Sequence, residues 1–363
     1  MTDFMTPQDN DIGEALCDQV RHAFEQRTPL RIVGGDTRAF YGNAVEGAPL
    51  SLAEHRGIVH YDPVELIVTV RAGTPLEALE HTLAENRQML PFEPPRFGPG
   101  STVGGAVATG LSGPRRPWAG AVRDFVLGTR VITQEGKLLR FGGEVMKNVA
   151  GYDVSRLMVG AQGTLGVIAD VSFKVLPIPT ARHSLRLAMP LDEALKTLAA
   201  LGREPLPITA AAWYASELFL RLEGGQSSVA ATCERLGGDA LEDDFWTALR
   251  DQRLDFFTLQ PSESLWRLSL PPNTPPLALD ADDSAQLYDW GGSQRWLKTT
   301  QDAVSLRAAC VQAGGHATCF RRAAPSIAPF TPLDPVVAKY HANVKATLDA
   351  HGIFNPGRLY PAL

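Results

Sequence analysis

Near the start of the chain apolar residues recur at helical spacing. Ile12, Leu16, Val20, Ala23 and Phe24 share one face behind Asp11, a residue suited to an N-cap, and predict a helix. The apolar run LRIV (30–33) follows as a strand and passes straight into GGDT. A second unit opens with the strand ELIVTV (65–70). Thr74, Pro75 and Glu77 then form the pattern of a capping box with proline at the first helical position, and Leu76, Leu79 and Leu83 stripe the helix behind it. Within 122–141, VRDFVLGTRVIT and KLLRF predict two strands joined at Glu135 and Gly136, and 153–159 predicts a short helix. In GVIADVSFKVL (166–176), Val167, Val171, Phe173 and Val175 alternate with Asp170, Ser172 and Lys174, the signature of a half-buried strand.

Pro177 and Pro179 mark a domain boundary, beyond which the pattern changes. Strands near 183–189, 208–214 and 217–223 alternate with helices near 191–202 and 226–236. Residues 264–321 repeat a looser strand, strand, helix, strand, so the lobe reads as antiparallel α+β in two similar halves separated by LEDDFWTALRDQR (241–253). Asp334 then caps and Pro335 opens a helix striped by Val337, Tyr340, Val344 and Leu348, which ends at Gly352 before IFNPGRLYP.

The 363 residues allow two domains or one with an inserted lobe, and 44% apolar with 20% charged residues describes an ordinary globular chain. With 40 carboxylates against 34 Lys and Arg and no basic stripe, a nucleic-acid partner is not expected. The N-terminus lacks a basic-then-apolar signal, and no apolar run is long enough to span a bilayer. Cys17, Cys233, Cys310 and Cys319 are scattered, which predicts reduced thiols in a cytoplasmic protein and no zinc or iron–sulfur site in this chain.

Glycine distribution changes this picture. Fifteen of the 33 glycines fall between Gly98 and Gly166, and 98–113 reads GPGSTVGGAVATGLSG. Three clusters sit at strand edges: GGDTRAFYG (34–42), TVGGAVATGLSG (102–113) and GAQGTLGVI (160–168). Glycine lets backbone approach a ligand and lets successive N–H groups converge on an anion, which points to pyrophosphate. Neither GxGxxG after the first strand nor GxxxxGK[ST] occurs, so a Rossmann or P-loop fold is not supported.

GGDT, STVGGAVATG, KNVAGYDVSRLMVGAQGTLGVI and GIFNPGRLYP resemble, in order, the FAD-binding pattern of the vanillyl-alcohol-oxidase-like flavoproteins, with their PCMH-type FAD domain. GPRRPWAGAVRDFVLGTRVI (113–132), WRLSLP (266–271) and DWGGSQRW (289–296) are similar to the E-subunit family of bacterial glycolate oxidases. The resemblance implies an α+β protein: a PCMH-type domain of two α/β subdomains (about 1–95 and 96–178), an antiparallel α+β cap lobe (179–330) and a C-terminal segment (331–363) returning to the FAD domain. By motif, Gly34, Gly35, Asp36 and Thr37 would form the first pyrophosphate loop. Thr102, Gly104, Gly105, Thr109, Gly110 and Gly113 would line the dinucleotide and flavin, and Gly163, Thr164, Gly166, Val167 and Ile168 the adenosine side. Asn355 and Arg358, in NPGR, would complete the site, with Arg358 near flavin N1. Asp36-Thr37 stands where covalent relatives place histidine, which implies non-covalent FAD. The Asp36 carboxylate is expected to turn away and hydrogen-bond the loop backbone, the alternative being a metal-mediated phosphate contact.

The resemblance further implies oxidation of glycolate to glyoxylate or of another small 2-hydroxy acid. A catalytic flavoprotein D-type subunit and an iron–sulfur F-type subunit would be partners, and any membrane contact would be made through them. Such chemistry needs cations for the substrate carboxylate and a base for its hydroxyl. Arg267 and Arg295, each beside a tryptophan, are candidates for the former, and Tyr152 is the polar candidate near the flavin. The eight histidines form no HxH or acid-flanked cluster. Three functions stay open at this level: an electron-passing FAD subunit, an autonomous FAD-dependent dehydrogenase, and an assembly subunit that keeps the fold. Trp118, Phe245 and Trp246 are candidates for an exposed partner-facing patch.

Overall fold

A computed structural model of the chain describes residues 9–143, 151–242, 244–279 and 281–362. The KNVA portion of the third motif (147–150) lies outside them. Two compact units emerge: one from the described residues of Met1–Ser112, Gly120–Ile178 and Pro332–Leu363, the other from Gly113–Ala119 and Pro179–Thr331.

The first unit is built on a five-stranded antiparallel sheet, in the order Ile58–Asp62, Ile67–Arg71, Val167–Lys174, Val126–Ile132, Leu138–Gly142. Val167–Lys174 is its middle strand, and that position overturns the half-buried reading: Asp170 and Ser172 are buried along with the valines. Ser172 Oγ meets Thr69 Oγ1 at 2.8 Å, and Asp170 pairs with Arg130 and lies 3.3 Å from Nε2 of the fully buried His55. Burial alone would raise the Asp170 carboxyl, but the ion pair with Arg130 and the His55 ring beside it outweigh burial and hold it below the ordinary value. A separate parallel pair joins Leu30–Val33 to Ala48–Ser51. Helix Gly13–Gln26 starts one residue later than predicted: Ile12 is its N-cap, and Asp11, just before it, accepts from Gly13 N–H through Oδ1 at 2.8 Å. The capping box does not form. Thr74 Oγ1 instead accepts from Gly57 N–H at 2.9 Å, and helix Leu76–Glu85 begins without a side-chain cap.

The second unit carries an eight-stranded antiparallel sheet: Asp239–Ala240, Ala181–Ala188, Glu217–Gly224, Ile208–Tyr214, Gln286–Asp289, Gln294–Thr299, Ser264–Ser269, His316–Arg321. Its halves meet where Trp213 pairs with Tyr288, and each has its own apolar cluster, one around Trp213 and Leu220, the other around Trp266 and Leu297. Residues 113–119, read from sequence as part of the FAD half, belong here. Trp290 Nε1 donates to Gly113 O at 3.0 Å, Arg115 pairs with the buried Glu223, and the Arg116 guanidinium lies 4.3 Å over the Trp290 ring. Glu223 also faces Arg182 and Arg221. Its burial would raise the carboxyl, but the three guanidiniums hold it below its usual range. Of the candidate patch residues, Trp246 is buried and donates to Ser184 Oγ at 3.0 Å, and Phe245 stacks on Phe219 at 4.2 Å. Those two rings are thus used inside the unit, while Trp118 is 41% exposed.

Candidate functional site: a cavity walled by three glycine turns

Where strand Leu30–Val33 ends, the chain turns through Gly34, Gly35, Asp36 and Thr37, and all four line a cavity of about 380 Å³ in the first unit. Among the described residues, their four amide N–H groups donate to no protein acceptor. Four successive unengaged amides beside a cavity are the backbone form of an anion site. The turn also fits tightly against the second cluster: a Cβ on Gly35 would sit 1.8 Å from Gly100 O, and one on Gly34 2.3 Å from Thr102 Oγ1. Thr37 Oγ1 meets Ser101 Oγ at 2.9 Å.

Asp36 adopts a left-handed φ of 53°, which an aspartate tolerates better than most side chains. Its carboxylate does not reach the loop backbone as expected. It receives Arg31 Nη1 at 3.0 and 3.1 Å instead, because the side chain of the strand residue Arg31 extends beside the turn.

The second cluster is used differently. Thr102 caps helix Val103–Thr109 by accepting from Gly105 N–H at 3.3 Å. Val103 N–H donates to Thr74 O at 2.9 Å and Gly104 N–H to Ala72 O at 2.8 Å. These amides are therefore engaged within the fold. Gly104 is small because a Cβ there would come 2.6 Å from the Ala72 methyl, whereas Gly105 borders the cavity with no backbone closer than its own helix. Thr109 also lines the cavity, its hydroxyl donating back to Gly105 O at 2.9 Å.

The third wall comes from Gln162, Gly163, Gly166 and Ile168 together with the C-terminal Asn355 and Arg358. Asn355 bridges two walls: its Oδ1 accepts from Ile32 N–H at 2.8 Å and its Nδ2 donates to Gln162 O at 2.7 Å. Arg358 braces the first turn, donating to Ala39 O at 3.0 Å, Asn43 O at 2.7 Å, Arg38 O at 2.9 Å and Gln162 Oε1 at 3.1 Å. Its guanidinium is oriented by these acceptors, so its charge reaches the cavity as a fixed field.

Gly110, Gly113, Thr164 and Val167 lie outside the lining. Gly110 is the left-handed C-cap of helix Val103–Thr109, Gly113 belongs to the second unit, Thr164 Oγ1 donates to Ala161 O at 2.7 Å, and Val167 is fully buried in the central strand. Arg31, Arg38 and Gln162 line the cavity without having been singled out from the sequence. The only available signal was the placement of Arg31 and Arg38 on either side of the first turn. Together with Arg358 they set three guanidiniums against one carboxylate, a balance that suits a dianionic pyrophosphate.

The candidate catalytic residues are not gathered at this cavity. Tyr152 is 98% exposed and outside the lining. In the second unit, Arg295 is buried and donates to Gly292 O at 3.1 Å, Pro275 O at 2.9 Å and Thr274 O, with its guanidinium 4.7 Å over the Tyr288 ring. Burial lowers its pKa, and its hydrogen bonds tie down the 274–275 loop. Arg267 stands on strand Ser264–Ser269 with its guanidinium 5.8 Å over Phe320. Among the described residues no cluster of His, Cys, Asp and Glu could hold a metal ion, and no helix is long and apolar enough to cross a membrane.

Residues 13–142 match the family model described as an FAD binding domain. The chain is 50% identical over 353 residues to the glycolate oxidase subunit GlcE of Escherichia coli (strain K12), covering 97% of this chain and 99% of that one. It is 31% identical over 193 residues to a D-2-hydroxyglutarate dehydrogenase of Xanthomonas citri pv. viticola, covering 53% of this chain and 41% of that protein. With the glycolate oxidase subunit GlcD of Bacillus subtilis (strain 168) it shares 32% identity over 177 residues, 48% of this chain and 37% of that one. An alkyldihydroxyacetonephosphate synthase structure superposes with a TM-score of 0.66 at 17% identity, covering 94% of this chain and 74% of that one. The fold, mixed helices and antiparallel sheets around a PCMH-type FAD domain, is thereby shared, and the cofactor is FAD.

Proposed function

Since this chain belongs to the family of the glycolate oxidase subunit GlcE, we propose that it is the FAD-holding subunit of a glycolate-oxidising complex. The observation that carries the cofactor's place is the turn 34–37, whose four unengaged amides face a cavity with three guanidiniums and one carboxylate. In this reading the turn grips the pyrophosphate, with Arg31 and Arg38 adding positive charge. Asn355 and Arg358 keep the first and third walls at a fixed distance. Gly105 leaves room at the cavity edge that a side chain larger than a methyl group would fill. Among the described residues the lining has no histidine, cysteine or tyrosine, which supports non-covalent binding.

Bound FAD supplies the oxidant for a CH–OH group. The protein residues supply binding, orientation and a positive field that favours negative charge on the reduced cofactor. Asp36 is the single carboxylate of the lining and is paired with Arg31, so the described residues place no poised base there. That supports a subunit passing electrons to or from partner subunits rather than oxidising substrate alone; in this proposal the partners are a D-type flavoprotein and an iron–sulfur F-type subunit, the complex works in the cytoplasm, and any membrane contact is made through those partners.

The purified chain should take up one FAD and, alone, turn over glycolate with an artificial acceptor only at trace level. Adding the D-type subunit should restore turnover. Robust turnover by the chain alone would establish an autonomous dehydrogenase, and failure to take up FAD would leave an assembly role. Gly105→Leu should abolish FAD uptake while leaving the melting temperature of the apoprotein within a few degrees. Uptake equal to wild type would remove the cofactor from this cavity.

A further inference from the structure

Helix Pro335–Leu348 has one buried residue, and it is a lysine. A buried ammonium needs all its donors satisfied, and Lys345 Nζ achieves this with three bonds: to Asp349 Oδ2 at 2.6 Å, Thr164 O at 2.8 Å and Phe354 O at 2.9 Å. Asp349 is buried as well and is held from the other side. Its Oδ1 accepts from Ile353 N–H at 2.9 Å and its Oδ2 from Phe354 N–H at 2.8 Å.

The two carbonyls reached by Lys345 flank the cavity without entering it. Thr164 directly follows Gly163, and Phe354 directly precedes Asn355; both of these neighbours are lining residues. Gly163 and Asn355 are themselves in close contact, since a Cβ on Gly163 would lie 2.7 Å from Asn355 Nδ2. One ammonium thus fixes the third glycine turn relative to the C-terminal return, and through Asn355 relative to the first strand. Apart from this tie the helix is weakly held: Val336 is 62% exposed, Val337 44% and Tyr340 64%.

We propose that Lys345 is a positioning residue that couples occupancy of the FAD cavity to the order of helix Pro335–Leu348. FAD fixes Gly163 and Asn355, these fix the carbonyls of Thr164 and Phe354, and the carbonyls hold the ammonium and hence the helix. Linkage makes the effect reciprocal, so releasing the helix weakens FAD binding by the factor by which FAD stabilises the helix. The inference rests on FAD occupying this cavity.

The test uses the full chain and FAD itself. In wild type, adding FAD should slow amide hydrogen exchange across 335–348 by at least about tenfold. Lys345→Met should lower FAD affinity at least about tenfold by flavin-fluorescence titration, and FAD should no longer protect the helix. Because that variant leaves the Asp349 charge buried and can misfold, the double variant Lys345→Met with Asp349→Asn is measured beside it. Removing both charges should bring the apoprotein's melting temperature back toward wild type. If FAD affinity and FAD-dependent helix protection stay lost while the melting temperature recovers, coupling through Lys345 holds. If both recover together with the melting temperature, the lysine is structural only and the proposal is overturned. Gly105→Leu separates the two failures: FAD binding retained in that variant would refute the cavity assignment, whereas loss there with unchanged helix protection in wild type would refute the coupling.

Discussion

The turn at 34–37 and the start of helix Val103–Thr109 are both glycine-rich and both line the same cavity, yet their backbones are used in opposite ways. In the turn, four amides have no protein acceptor among the described residues. At the helix start, the amides of Val103, Gly104 and Gly105 are engaged by Thr74 O, Ala72 O and Thr102 Oγ1. A helix N-terminus is ordinarily the first place to look for an anion site. Here it is closed by the fold, and the turn beside it is the open one. A dense run of glycine therefore has two distinct causes, and only the destination of each N–H tells them apart.

The sharpest way to break this contrast is Gly35→Ala. A methyl group 1.8 Å from Gly100 O and 2.6 Å from Gly100 C meets backbone, which cannot rotate away. The turn must shift, and FAD affinity should fall at least about 100-fold, roughly 3 kcal/mol. Gly105→Ala is the matched control. Its methyl lies 3.2 Å from Thr102 Oγ1 and 3.4 Å from Arg38 Nη1, both side-chain atoms, and alanine favours a helix. Affinity should change only a few-fold by fluorescence titration. Equal losses in the two variants would mean that the two clusters grip the cofactor alike.

A smaller effect is expected at Thr102. Thr102→Ala removes the cap on Gly105 N–H and should cost about 1 kcal/mol of stability, read as a lower melting temperature of the apoprotein. Because the amides at this helix start are taken up by acceptors within the fold, FAD affinity should fall less than about threefold. A loss of affinity larger than the loss of stability would reopen the helix start as an anion site.

Much of the element order was legible from periodicity. The helices that follow Asp11 and Asp334 and the strands at 208–214 and 217–223 form as read, because such elements need only neighbours a few residues apart, although the stripe behind Asp334 leaves Val337 and Tyr340 exposed. The site was legible as a set of glycine turns, because positive φ and close approach restrict the residue types allowed. What could not be read are the long-range partners. Thr74 looks like a capping residue from three residues of context, yet its hydroxyl bonds Gly57 in another segment. Arg295 looks like a solvated strand arginine or a substrate clamp, yet it ties down carbonyls 20 and 21 residues away. Lys345 lies outside the apolar stripe that predicts its helix, and its partner Thr164 is 181 positions distant. Local pattern fixes which elements form, while the use of each polar group depends on which elements the fold brings beside it.

The finest distinction concerns Asp36, a carboxylate in the wall of a cavity assigned to a dianion. Its pairing with Arg31 is half exposed, at 50% and 38%, so the pair itself contributes little to stability. Its cost to FAD binding is electrostatic: one negative charge near the phosphates, and one guanidinium drawn toward the carboxylate instead of the ligand. Asp36→Asn removes the charge while keeping a residue that accepts φ 53°. Affinity should rise about three- to tenfold at low ionic strength, and the gain should shrink in high salt as screening shortens the reach of the charge. The turn amides would be unchanged, so a gain of this form attributes the grip to backbone and the tuning to Arg31. Weaker binding in the asparagine variant would instead show that the carboxylate holds Arg31 where the phosphates need it. The first turn would then depend on side-chain geometry as the second cluster does, and the contrast between them would be one of degree.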